Sequence, residues 1–400
     1  MLGVRLTTLL TSLVCCIAGL VALYAASSFL PRIYPEAMTI ATGAQDFKEL
    51  SGRFQALAQK KGAVYAFEIL KRAQLPPNTD LHLLGHAVGD ILYTQKGIDG
   101  VANCTQNFRN ACSHAVVIGA LNEFGAGDQT LLLIDDACKK APGGSGAYTM
   151  CYHGLGHGVL AYFGYDLKKT VAFCKRMGTP EFDGEQYTQC VSGAIMELMG
   201  GGGHDHELWL LAREKYLSPA EPLAPCDTAL IPYEAKTLCF IYLTPRLFEL
   251  AGADLGHPDP ATFPKAFGFC DALSDTKLRD ACYGGFGKEF VPLAGARDIR
   301  GVDAFDDREY ATAIEWCGLV GAKDGREACI TEALGSVFWG GENDPRAALR
   351  FCSLVSDSDE QITCYTELIA DIARYSPERN DLCAAMLEPF VDECTEKLSV

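Results

Sequence analysis

Residues 150–160 read MCYHGLGHGVL, in which Cys151 opens an apolar, glycine-rich run that carries His153 and His157 four positions apart. On a helix that spacing stacks two imidazoles on one face, one turn apart. The opening cysteine recurs: ACSHAVVIGAL starts at Ala111, QCVSGAIMELM at Gln189, ACYGGFGKEF at Ala281, ACITEALGSVF at Ala328 and TCYTELIADI at Thr363. Some 8 to 16 residues before each of these cysteines stands another that tends to end an apolar run, as in TVAFCKRMG (170–178), FGFCDAL (267–273), IEWCGLVG (314–321) and LRFCSLV (349–355).

Sixteen of the eighteen cysteines fall into such consecutive pairs: Cys104 with Cys112, Cys138 with Cys151, Cys174 with Cys190, Cys226 with Cys239, Cys270 with Cys282, Cys317 with Cys329, Cys352 with Cys364, and Cys383 with Cys394. None of them forms C-x2-C, which disfavours zinc ribbons, thiol redox motifs and haem attachment. An even count at regular spacing in an exported chain reads as disulfides. Each would tie the end of one helix to the start of the next across a short loop. The second members recur at intervals of 39, 39, 49, 43, 47, 35 and 30 residues, the signature of a repeat array. No alternating run is long enough for a strand. The expected fold class is therefore all-α: an array of antiparallel helical hairpins, α-solenoid-like, with irregular repeats of about 30–49 residues stapled by consecutive disulfides. This spacing resembles that of the cysteine-stapled relatives of tetratricopeptide solenoids, which also join the two helices of a hairpin by a disulfide.

The N-terminus points to a compartment. Residues 6–30 hold no charged side chain over 25 positions, where ~20 suffice to span a bilayer. The run is long for a cleaved signal, so residues 1–30 are expected to form a signal-anchor helix that contains Cys15 and Cys16. Arg5 before the run favours an inside N-terminus, with the body on the external or periplasmic side of the membrane. Residues 31–43 read as a stalk, 44–255 as a histidine-bearing repeat region and 256–400 as a C-terminal repeat region beginning at a proline-rich seam. With 34 basic against 51 acidic residues and a net charge of −17, no basic stripe is present to bind nucleic acid. Neither G-x-S-x-G nor a phosphate-binding or dinucleotide glycine motif occurs.

Five of the eight histidines fall within 76 residues, from His82 to His157. Aligned on the second cysteine of each pair, His114 stands two positions after Cys112, and His153 and His157 stand two and six after Cys151. If Asp80 takes the cysteine's place, with Asn78 and Thr79 capping the helix, His82 and His86 stand at the same two positions. One helix face thus bears histidine three times running. Later repeats place there Ser192 and Met196 after Cys190, Ile241 and Pro245 after Cys239, Gly284 and Lys288 after Cys282, Thr331 and Gly335 after Cys329, and Thr366 and Ala370 after Cys364. That assigns the chemistry to the first three hairpins and leaves the rest as scaffold or binding surface. A set of neutral imidazoles suits zinc, copper or iron rather than magnesium or calcium. Paired H-x-x-x-H segments are also similar to the ligand pattern of binuclear type-3 copper centres.

His82, His86, His114, His153 and His157 are accordingly the expected metal ligands. Asp90 stands as a carboxylate able to orient an imidazole, Glu197 as a supporting carboxylate one place past the register but more in keeping with a surface side chain, and His204 and His206 as a segment that folds over the site. The expected function is that of a membrane-anchored, exported metal-binding protein, an oxidoreductase or metal-dependent hydrolase. The alternative is a membrane-tethered scaffold that binds a protein or peptide on its repeat surface, with the histidines as core.

Overall fold

The structure is a computed structural model that describes residues 34–177, 185–200, 206–339 and 345–398. Among these residues every regular element is helical, and there is no strand. In chain order the α-helices are α1 (Phe47–Lys61), α2 (Ala63–Leu70), α3 (Leu81–Lys96), α4 (Ala111–Phe124), α5 (Asp128–Cys138), α6 (Gly144–Tyr162), α7 (Leu167–Cys174), α8 (Glu185–Gly200) and α9 (His206–Tyr216). They continue with α10 (Tyr233–Ala251), α11 (Phe263–Phe267), α12 (Thr276–Ala294), α13 (Asp307–Cys317), α14 (Lys323–Phe338), α15 (Pro345–Leu354), α16 (Ser358–Tyr375) and α17 (Phe390–Leu398). Aspartates begin several of them. The carboxylates of Asp46, Asp80, Asp166, Asp275, Asp306 and Asp357 each accept from a backbone N–H of the first turn, satisfying donors that have no partner inside the helix. Asp80 therefore caps the first histidine helix, by a 2.9 Å bond from the Leu83 amide, in place of the Asn78 and Thr79 expected from sequence.

All eight consecutive disulfides are formed, with Cα separations of 5.3–5.7 Å. In the N-terminal half Cys112 is bonded to Cys104, Cys151 to Cys138, Cys190 to Cys174 and Cys239 to Cys226. In the C-terminal half Cys282 is bonded to Cys270, Cys329 to Cys317, Cys364 to Cys352 and Cys394 to Cys383. In the chain-entropy account, loops of this size are worth on the order of 3 kcal/mol each. The helices that carry the second cysteines pack side by side in sequence, α4 on α6, α6 on α8, α8 on α10, α10 on α12, α12 on α14 and α14 on α16, with α3 heading the row against α4. Their approach is close. A Cβ on Gly156 of α6 would lie 2.0 Å from the Cys190 carbonyl oxygen of α8, so only glycine permits that crossing.

The row does not stay open. Ser145 donates to the Arg374 carbonyl at 3.1 Å, Trp339 and Tyr375 lie against Gly146, and Arg109 donates to Ser336 Oγ at 3.2 Å. Arg300 donates to the carbonyls of Leu70 and Ala73 at 3.0 and 2.7 Å. The C-terminal helices thus come back onto the N-terminal ones and enclose a central cavity. Two apolar cores hold the ring: one is built from Ala37 through Phe173 and joined by Ile299, the other from Leu160 through Cys394. At roughly 1.5–3 kcal/mol per large buried side chain, residues such as Phe54, Phe248, Phe286 and Phe290, all at 0% exposure, supply the bulk of the driving force.

Residues 34–43 lie against this body, with Ala37 and Ile40 buried and the Gln74 amide donating to the Ala37 carbonyl at 3.2 Å. The charge-free run at 6–30 lies outside the described residues. Among the described residues no helix is long and apolar enough to cross a membrane.

Candidate metal centre

The register that places histidine two and six positions past the capping residue turns those side chains toward the cavity. His82 and His86 come from α3, His114 from α4, and His153 and His157 from α6. His114 is central: its ring centroid is 5.4 Å from His82, 5.7 Å from His86, 5.5 Å from His153 and 5.5 Å from His157. His157 also lies 5.9 Å from His82 and 5.8 Å from His86. The ligating atoms of His82, His86 and His114 all fall within 4.8 Å of one another. The expected pairing of two facing H-x-x-x-H helices is thus a three-helix arrangement with α4 in the middle.

Outer nitrogens of three rings are held from behind. His82 Nδ1 donates to the Phe108 carbonyl at 2.8 Å, a carbonyl aimed by a left-handed run at Phe108, Arg109 and Asn110, with φ of 56°, 54° and 62°. Three successive non-glycine residues in that region cost backbone energy. His157 Nδ1 donates to Glu197 Oε2 at 3.1 Å, while Glu197 Oε1 accepts from Tyr165 Oη at 3.0 Å. His153 Nδ1 meets Ser192 Oγ at 2.9 Å. The inner nitrogens differ. His82 Nε2 faces His86 Nε2 at 3.1 Å, while His157 Nε2 and both nitrogens of His114 are buried with no hydrogen-bond partner. Leaving a buried donor or acceptor unsatisfied costs about 1–3 kcal/mol.

Burial favours the neutral form of three of the rings. Burial, with the neighbouring His157 second, lowers the pKa of His82 to about 4. Burial also drives His114 and His153 well below the ordinary imidazole value, followed by the nearby rings. A neutral imidazole presents the lone pair that ligation needs.

Two cavities flank the cluster. One of about 370 Å³ is lined by His82, His86 and His157, the other, of about 170 Å³, by His82, His114 and His153. Both also touch Arg109, Met196, Tyr242 and Lys288. These four were not assigned chemistry from sequence, although Met196 and Lys288 stand at the sixth position past Cys190 and Cys282, the position that bears His157. The later repeats, expected to be scaffold or binding surface, thus contribute Met196, Tyr242 and Lys288 to the cavity wall. Lys288 hydrogen-bonds Glu289 and lies 4.8 Å over the Tyr242 ring, and burial lowers its pKa.

The remaining candidates separate. Glu197, read as a surface side chain, is 3% exposed, because one step past the register on α8 aims it at the back of His157. Asp90 is exposed at the edge of the larger cavity. His206 is exposed and pairs with Trp209 at 5.4 Å between ring centroids, away from both cavity linings. His204 lies outside the described residues. No family model, curated protein or solved structure matches the chain.

Proposed function

We propose that this chain is a membrane-anchored, exported metalloprotein in which His82, His86, His114 and His157 bind a transition metal that acts on a small molecule admitted to the larger cavity. The observation that carries this reading is the division of labour within the rings. Outer nitrogens are held by Phe108, Glu197 and Ser192, and inner ones are turned together, those of His114 and His157 without protein partners. Ligating histidines are held in this way, through the nitrogen that does not ligate. Two imidazole nitrogens on one tetrahedral ion stand roughly 3.3 Å apart, given bonds of ~2.0–2.1 Å, and His82 and His86 are already at 3.1 Å. An all-imidazole set suits zinc, copper or iron. The ion would supply Lewis acidity or electron transfer, for hydrolysis or oxidoreduction. This chain's own contribution is to orient the rings and to present Arg109 and Lys288 to an acidic group on the substrate. The anchor rests on the charge-free run at 6–30, and the oxidising compartment on the eight disulfides.

Elemental analysis of protein prepared without a polyhistidine tag tests the reading. At least one transition-metal ion per chain is expected, with chelation removing it and lowering thermal stability. Protein that neither carries nor takes up metal, and whose stability ignores chelators, would leave the histidines as core and favour the scaffold reading.

A further inference from the structure

Three observations single out a second metal position. The first is His114, 1% exposed, whose two ring nitrogens both lack a partner. A neutral imidazole has one donor and one acceptor, so a single ion on one nitrogen still leaves the other buried and unmet.

The second concerns hydrogens at His153. When the Ser192 hydroxyl donates to the Gln189 carbonyl, 2.8 Å away, its oxygen is left to accept from His153 at 2.9 Å, in the tautomer that carries the ring proton on Nδ1. His153 Nε2 is then without a proton, yet it faces the thioether sulfur of Met196 at 3.4 Å. Two lone pairs confront each other there. A cation between them removes the conflict, and the spacing fits. Bonds of ~2.0–2.1 Å to nitrogen and ~2.3 Å to sulfur at a tetrahedral angle separate the two atoms by roughly 3.6 Å.

The third is access. The larger cavity meets His82, His86 and His157, and the smaller meets His82, His114 and His153, with Met196 on both.

We infer that this chain holds two ions, the second bound by His153 Nε2, Met196 Sδ and one nitrogen of His114, whose ring bridges to the ion held by His82, His86 and His157. The inference rests on the metal-centre reading above and extends it. Bridging requires His114 to give up its ring proton to solvent as the second ion enters, and the ring then carries the negative charge shared between the two cations. A thioether is a soft ligand that selects copper, so the second site is a copper site. Across one imidazole ring the ions stand roughly 6 Å apart, given ~2.0–2.1 Å bonds.

The test titrates copper into chelator-treated, tag-free full-length chain and counts ions by elemental analysis, with Met196→Leu and Ser192→Ala alongside. Met196→Leu nearly conserves volume, and thermal melts confirm folding. Expected are two copper ions per wild-type chain and one in Met196→Leu. Ser192→Ala should weaken the second ion about 10–100-fold while keeping the first. With both sites filled by Cu(II), coupling through the shared ring should reduce the electron-paramagnetic-resonance intensity below that of two independent spins. One ion in both wild type and Met196→Leu overturns the second site and leaves the metal-centre reading standing. Two ions in both overturn the role of the thioether, and full two-spin intensity overturns the bridge. No ion in any of them overturns the metal-centre reading itself.

Discussion

The pair α6/α8 and the pair α12/α14 are built alike and carry different side chains at the same register positions. In each, the first helix carries a disulfide cysteine, Cys151 in α6 and Cys282 in α12, and a glycine five positions later lies against the partner's cysteine carbonyl. The Cβ-to-oxygen distance would be 2.0 Å from Gly156 to Cys190 and 1.8 Å from Gly287 to Cys329. Both partner helices receive a staple from the preceding element. Yet the positions two and six past the cysteine are His153 and His157 in one, Gly284 and Lys288 in the other. The backbone arrangement is thus carried by cysteine and glycine, and the two register positions differ between the pairs. Candidate ligands and scaffold residues sit on the same helices without competing for positions.

That separation can be broken from either side. The largest effect is expected from His86→Ala, which removes an inner nitrogen and should abolish metal uptake at micromolar concentrations, whereas Ile241→Ala on α10 should leave the bound metal at wild-type level. Paired isotherms decide it, and equal loss in both would end the distinction. Next come the staples. Replacing Cys138 and Cys151 together by Ser, or Cys317 and Cys329, should cost about 3 kcal/mol each in denaturant unfolding, because the loops span 13 and 12 residues. Only the first pair should also weaken metal binding, since α6 carries two of the five rings.

Glu197→Gln tests support from behind the ring. It keeps every inner nitrogen but replaces the carboxylate that accepts from His157, and metal affinity should fall about 10–100-fold. Unchanged affinity would show that the His157 to Glu197 contact merely packs.

The smallest effect concerns pH, and it belongs to the scaffold side. Burial pushes Glu332 up to about 7, and burial together with Glu367 and Glu332 pushes Asp371 up to about 7. Between the usual carboxylate range and about pH 7 the folded chain holds protons that the unfolded chain has lost, so stability falls as pH rises through that window and levels off above it. Both residues keep part of their surface in solvent, so the slope should stay well under the ~1.4 kcal/mol per pH unit that one fully linked proton gives. Melting curves of Glu332→Gln from pH 5 to 8 should be flatter than wild type; a parallel curve would remove Glu332 from the account.

How much of this is readable beforehand follows from how local each determinant is. Staples, helix starts and the histidine register depend on residues within a few turns of each other, and they stand in the sequence in plain order. Cys239, Cys282 and Cys364 each meet the cysteine that precedes them, as spacing alone predicts. Asp80 in the cysteine's place is of the same kind. Glu197 was half readable: its position one past the register was visible, but its burial depends on how α8 rolls against α6. Arg109 and Tyr242 were not readable at all. They join the site because the row closes on itself, and that closure rests on contacts such as Arg109 to Ser336, 227 residues apart, for which no periodicity gives a signal. Lys288 and Met196 were visible by position but not by residue type, since only an enclosed cavity makes a lysine or a thioether there more than scaffold.

Consecutive pairing also sets an order of assembly. Every bridge among the described residues joins a cysteine to the next one along, 8 to 16 residues later, so a chain delivered from its N-terminus can close each staple before the following pair appears. No correct bridge has to wait for a distant partner, and a newly arrived thiol finds its own mate nearest in the chain. The return of α14 and α16 onto α4 and α6 can then only come last, after the full length has emerged. In such a chain a stalled or truncated product would carry properly stapled helices around an unsealed cavity, with all five histidines open to whatever metal the surroundings supply.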